Sequence, residues 1–155
     1  MTLVTGDPAP DFDLATDQGD RIRLSALAGR AVVVYFYPKD DTSGCTREAI
    51  DFTALMPQFA AANAVVVGIS PDGVEAHRKF RAKHDLAVTL GADESRATLE
   101  AWGVWVEKSM YGRKYMGVER STFLVDAAGR IATIWRKVKV PGHAEAVLKA
   151  VQGLK

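Results

Sequence analysis

The single cysteine of this chain, Cys45, closes the stretch Pro38-Lys39-Asp40-Asp41-Thr42-Ser43-Gly44-Cys45. One thiol excludes an internal disulfide and a multi-cysteine metal cluster, so chemistry at sulfur runs through that atom alone. A free cysteine is only a few per cent thiolate at neutral pH, and the thiolate is the nucleophile. Its surroundings must therefore favour the anion. Thr42 or Ser43 reads as a helix start, because either hydroxyl can accept from an unpaired N–H of the first turn. Cys45 then falls inside that turn, where free N–H groups favour negative charge. A helix end alone rarely supplies enough, so a cation should help. Lys39 and Arg47 lie nearby in sequence; Arg113, Arg120 and Arg136 lie farther along. The bland alternative is a small core hydrophobe, the usual fate of a lone cysteine. Position weighs against it, since active sites of open α/β sheets collect where a strand ends and a crossover helix begins.

Other chemistry is poorly represented. His77 and His84 are seven apart, too far for one ion without further ligands, and no His-Glu-x-x-His pattern or cysteine pair joins them. No metal is expected. Asp40-Asp41 reads as a solvated or helix-capping pair of carboxylates. There is no Gly-x-x-x-x-Gly-Lys-Ser/Thr loop and no Gly-x-Gly-x-x-Gly fingerprint, so no nucleotide cofactor is implied. Twenty basic and nineteen acidic residues leave a net charge of +1, which gives no drive toward nucleic acid or an anionic membrane. The N-terminus lacks the basic and apolar regions of a signal peptide, and no apolar run approaches the ~20 residues that span a bilayer. A lone thiol fits a reducing compartment, and the expected location is cytoplasmic.

The elements that must hold Cys45 follow from hydrophobic pattern. Ala31 to Tyr37 and Ala64 to Ile69 are apolar at every position, as strands covered on both faces are. Between them Ala49, Phe52, Leu55, Met56 and Phe59 recur at helical spacing, with Pro57 set to kink or end the helix. Strand, helix and strand with about 20 residues of crossover favour a parallel pair. Phe12 to Leu14 and Arg21 to Leu24 flank a glycine-containing turn and read as an N-terminal hairpin. Val74 to Leu86 reads as a surface helix with Ala76, Phe80 and the Lys83 stem inward. Thr89 to Ala92 is a short extended piece, and Glu94 to Trp102 a short helix. Thr122 to Asp126 and Ile131 to Trp135 form a second hairpin. Arg136 to Lys139 alternates like a charged edge strand, and His143 to Val151 closes the chain as a helix. The expected fold class is α/β: a three-layer sandwich, a mixed central sheet with helices on both faces. At 155 residues one domain over 1–155 suffices, large enough to bury roughly 70% of its unfolded surface.

Pro38, Thr42 and Cys45 match the Pro-x-x-x-Thr-x-x-Cys signature of the peroxiredoxins. The stretch Tyr35 to Asp40 with Gly44-Cys45-Thr46 resembles the PrxQ, or bacterioferritin comigratory protein, branch. So do Gly103-Val104-Trp105, Met110-Tyr111-Gly112 and Glu119-Arg120 through Asp126. The likeness runs from Gly6-Asp7-Pro8-Ala9-Pro10-Asp11-Phe12 to the last helix. It implies a thioredoxin-like fold and a peroxidase acting on hydrogen peroxide and organic hydroperoxides. Cys45 would be the peroxidatic thiolate, and Thr42 would hold peroxide and sulfur. Pro38 would shield the site, and Arg120 would stabilise the thiolate and polarise the peroxide.

Many members of the branch carry a resolving cysteine five positions later, where this chain has Ile50. A one-cysteine cycle is therefore expected, closed by an external thiol such as thioredoxin, glutaredoxin or glutathione. The resemblance also implies a monomer or weak dimer. Two other functions share parts of the pattern. A peroxide sensor would oxidise Cys45 once and pass the signal to a partner protein. A disulfide reductase would need Cys-x-x-Cys, but Glu48 holds the second position. Trp102, Trp105 and Tyr111 are read mainly as packing, with an apolar rim for a hydroperoxide tail as the alternative.

Overall fold

The computed structural model describes residues 2–154; Met1 and Lys155, the two ends of the 1–155 domain reading, lie outside it. Its elements run β1 (Asp13–Thr16), β2 (Arg21–Arg23), a 3-10 turn (Leu24–Leu27), β3 (Ala31–Phe36), α1 (Ser43–Ala54), α2 (Met56–Ala61) and β4 (Ala64–Ser70). There follow α3 (Val74–His84), β5 (Thr89–Ala92), α4 (Ala97–Ala101), β6 (Trp105–Met110), β7 (Arg113–Val118), β8 (Ser121–Val125), β9 (Ile131–Trp135) and α5 (His143–Gln152). Seven strands form one sheet in the order β2-β1-β5-β4-β3-β8-β9. β3 pairs parallel with β4, and β4 with β5; β8 runs antiparallel to β3, and β1 to β5.

The unbroken apolar run of β3 is explained by its two faces. Successive side chains of a strand point to opposite sides. Val33, Tyr35 and Tyr37 enter a core with Phe52 and Phe59 of α1 and α2, Phe80 of α3 and Val147 of α5. Val32, Val34 and Phe36 enter a second core with Phe12, Leu99, Trp102 and Phe123. Helices therefore cover both faces, and the sandwich is the thioredoxin-like one expected from sequence. Pro57 stands in the first turn of α2, where a missing N–H costs nothing, and the helix breaks at Leu55.

Four local expectations are corrected. Arg136 to Lys139 lies outside any strand, because the chain leaves the sheet after Trp135. α4 begins only at Ala97, behind a left-handed Arg96. On α3 the inward side chains are His77 and Phe80, while Lys83 faces solvent. A separate two-stranded ribbon, β6–β7, stands where the sequence pattern predicts no strands. Its turn, Tyr111-Gly112, has φ of 52° and 77°, the paired positive values of a tight hairpin turn. Most of its residues are solvated, so it lacks the apolar alternation that marks a strand.

Candidate active site

β3 ends at Phe36, and the loop 37–42, with Pro38 in it, carries the chain to the start of α1. Thr42 occupies the N-cap in an extended conformation, but its hydroxyl does not cap the helix. It donates instead to the carbonyl of Lys39, 2.9 Å away, which ties the loop rather than the first turn. The first helical bond runs from the Thr46 N–H to the Thr42 carbonyl at 2.8 Å. The N–H groups of Ser43, Gly44 and Cys45 precede it, so none has a partner within the helix. Cys45 sits within this turn, in agreement with the sequence pattern, and is only 1% exposed.

β8 brings the cation. Its register sets Ser121 opposite Phe36, so the preceding residue, Arg120, arrives beside the end of β3. Arg120 Nη2 lies 3.2 Å from Cys45 Sγ, and Nη1 donates to Glu48 Oε1 at 2.7 Å. Gly44 makes room: a Cβ there would come within 3.2 Å of Nη2. Burial opposes the charge on Arg120, but the facing Glu48 and Cys45 outweigh it and raise the guanidinium above its ordinary range. Burial pushes the Glu48 carboxyl up to about 7, despite the opposing pull of Arg120. Its second oxygen, and the buried Tyr35 hydroxyl, have no hydrogen-bond partner among the described residues. His143 bonds the Thr122 hydroxyl through Nε2 at 2.8 Å. Burial first, and then Arg120, lower His143 to about 4.

Of the five candidate cations, only Arg120 bonds the sulfur. Arg47 pairs with Asp51 at the surface, and Lys39 is exposed. Arg113 projects from the ribbon, and Arg136 donates to the Leu3 carbonyl. Glu48 is a site residue that the sequence pattern does not single out, although its place three positions after Cys45 puts both on one helix face. Trp102 is wholly buried among Phe12, Phe36 and Phe123, whereas Tyr111 at the ribbon tip is 99% exposed. Trp102 is packing, and Trp105 lies under the Arg96 guanidinium.

The Asp40-Asp41 pair is not merely solvated. Asp41 meets Lys83 and His84 of α3, while Asp40 is buried against Tyr37 and His77. Asp40, Asp72 and His77 cluster closely enough to suggest a metal. Each is already engaged: Asp40 by Tyr37 and His77, Asp72 by the Asp40 N–H and Ser70, and His77 by Asp40 and the Gly91 carbonyl.

Comparison with known proteins gives the family and the fold. Residues 5–134 match the model of the AhpC/TSA family. Peroxiredoxin Bcp of Bacillus subtilis is 48% identical, over all of this chain and 97% of its own. A cysteine-to-serine mutant of Xylella fastidiosa PrxQ superposes with a TM-score of 0.93 at 38% identity, covering 98% of this chain and 97% of its own. The bacterioferritin comigratory protein of Xanthomonas campestris, studied for alkyl peroxide reduction, gives a TM-score of 0.87 at 46% identity. That match covers 91% of this chain and 90% of the other.

Proposed function

The chain belongs to the AhpC/TSA family, with Bcp and PrxQ peroxiredoxins among its relatives, and from that premise we propose that it is a thiol-dependent peroxidase. Its substrates are hydrogen peroxide and organic hydroperoxides, and Cys45 is the reacting group. The observation that carries this reading is the Arg120 Nη2 contact with Sγ, at 3.2 Å, on a cysteine set among free helix N–H groups. Both the guanidinium and the N–H groups favour sulfur as the anion.

The thiolate attacks the terminal oxygen of ROOH in line with the O–O bond. A sulfur–oxygen bond forms as O–O breaks, Cys45 becomes a sulfenic acid, and RO⁻ leaves and takes a proton to give ROH. Charge moves from sulfur toward the leaving oxygen, and Arg120 with the first-turn N–H groups is set to follow it. The Thr42 hydroxyl donates to the Lys39 carbonyl, so its lone pairs are left to accept from the peroxide. Pro38 stiffens the loop. Neutral Glu48 leaves the charge of Arg120 to the sulfur, whereas ionised Glu48 competes for it.

No second cysteine exists, so an external thiol closes the cycle. R′S⁻ attacks the sulfenic sulfur, hydroxide leaves as water after taking a proton, and a mixed disulfide forms. A second R′S⁻ then releases the Cys45 thiolate and R′SSR′. Ile50, where many PrxQ proteins have their resolving cysteine, is exposed and inert. Thioredoxin, glutaredoxin and glutathione all fit as donors. The lone free thiol supports a reducing, cytoplasmic setting. Among the described residues no helix is long and apolar enough to cross a membrane.

Stopped-flow mixing of reduced protein with hydrogen peroxide, read by tryptophan emission, tests the first step, with a dimedone-type trap for the sulfenic acid. Reaction no faster than free cysteine would end the peroxidase reading. Consumption of one equivalent only, with thiol in excess, would leave a sensor.

A further inference from the structure

The outer half of the β6–β7 ribbon takes no part in the chemistry at Cys45. At its base Trp105 and Val118 pair across the strands and join the second core. Beyond them every residue from Ser109 to Met116 is exposed, on both faces of the ribbon. A two-stranded hairpin without cover is marginal in water. Yet this one carries Met110, Tyr111, Tyr115 and Met116, exposed at 56%, 99%, 44% and 50%. Only Val4 and Ile50 match them among the described residues. Apolar residues scattered singly over a surface need no explanation; four on one hairpin do.

Positive charge gathers in the same place. The net charge of +1 over the whole chain conceals an uneven distribution. Residues 105–118 and 137–139 hold five basic side chains, Lys108, Arg113, Lys114, Lys137 and Lys139, against one acidic one, Glu107. The two segments meet, since Lys108 of β6 shares a groove with Lys137, Glu119 and Arg120. Of the five cations, only Lys114 has a carboxylate within reach among the described residues, Glu107 at 3.7 Å. The register sets Lys108 opposite Tyr115 and Met110 opposite Arg113, so these four stand on one face. Lys114 and Met116 stand on the other. Each face therefore mixes cations with apolar groups, and Tyr111 tops both at the turn.

We propose that the outer β6–β7 ribbon is a peripheral binding surface for an anionic lipid bilayer. Met110 and Tyr111 at the tip enter the headgroup region, and Lys108, Arg113, Lys114 and Lys137 meet the lipid phosphates. Elements that rest on a membrane combine these two features: apolar side chains to bury, and cations drawn to the surface potential. A nucleic acid would use the cations and stack on the tyrosines, but it leaves Met110 and Met116 without a role. A protein partner would have to supply a pocket for the convex, wholly exposed tip, whereas a bilayer accepts it without one. Each cation near an anionic surface is worth roughly fivefold in partition, so four give on the order of several hundredfold over a neutral bilayer at low salt. Arg120 lines the same groove as Lys108 and Lys137, so docking sets that wall of the Cys45 site close to the lipid.

Vesicle co-sedimentation tests this on the intact chain, with phosphatidylcholine alone against an equal mixture with phosphatidylglycerol. Binding to the mixed vesicles and not to the neutral ones is expected, and it should fall steeply as salt rises. Arg113→Gln and Lys114→Gln should each weaken it roughly fivefold. Met110→Ser and Tyr111→Ser should weaken it severalfold too, at unchanged charge. In Tyr111→Trp, lipids brominated along the acyl chain should quench the new indole. Every variant should react with hydrogen peroxide at the wild-type rate, which serves as the check on folding. Equal binding to both vesicles, or binding to neither, overturns the membrane surface. So does a loss confined to the charge variants, or single-stranded DNA bound as tightly and held equally by Met110→Ser and Tyr111→Ser; either result marks a patch for polyanions or acidic proteins at large. Wild-type protein inert to peroxide removes the peroxidase reading and leaves the vesicle result standing, with thermal melts then reporting the fold.

Discussion

One guanidinium between two acidic groups is the smallest unit from which the activity can be argued. Arg120 bridges Cys45 and Glu48, one through each terminal nitrogen. Arg120→Ala should slow the peroxide step more than tenfold, since a lost charged contact at the reacting atom is worth over ~1.4 kcal/mol. Arg120→Lys should not restore it, because one ammonium cannot span both partners. Stopped-flow rates check both. Glu48 makes a prediction with a sign. Its carboxyl rises from 4.5 to about 7 on folding, so the folded state keeps a proton that the unfolded chain has lost. Stability is therefore fully present below pH 4.5 and falls as pH climbs toward 7, by about 3 kcal/mol in all. Glu48→Gln should melt higher than wild type at about pH 8 and level with it near pH ~4. It should also hold its peroxide rate across neutral pH, because an amide cannot ionise. A wild-type melting profile indifferent to Glu48→Gln would remove the buried proton.

At the level of elements, the site is made where β3 ends, α1 begins and β8 passes antiparallel beside them. Tyr35 of β3 leans on the bare backbone of Gly68 in β4, where an added Cβ would come within 2.6 Å of the ring. Gly68→Ala should cost about 1–3 kcal/mol in chemical denaturation, with Tyr35 displaced from its stack on Phe52. His143 at the start of α5 works in the opposite sense to Glu48. Its value falls from 6.5 to about 4, so acidification protonates the unfolded chain first, and stability drops as pH falls from 6.5 toward 4. His143→Gln should flatten that acid limb in a thermal melt series. Much of this framework is legible in the sequence. Runs such as Ala31 to Tyr37 announce two-sided burial, and Pro57 announces a helix break. The helix start places Cys45, but spacing cannot choose Arg120 from five cations. That choice depends on the β3–β8 register, which local pattern does not encode. The β6–β7 ribbon is hidden because solvated strands show no apolar alternation. His77 and Asp40 look ordinary in sequence because each acquires its meaning only from the other, 37 residues away.

For the whole molecule, the seven-stranded sheet gathers its apolar side chains into two cores, one on each face. A monomer or weak dimer is the expected state, and sedimentation showing a stable decamer would refute it. The lone sulfur has a larger consequence. A protein with two cysteines can bank each oxidation internally and wait; this one cannot. Every turnover leaves an unfinished atom that must be met by a molecule from outside before the next peroxide arrives. When donors run short, further oxidation to the sulfinic state is irreversible for most proteins. The enzyme then behaves as a fuse: its survival, not only its speed, reports how well the surrounding thiol supply keeps pace with oxidant.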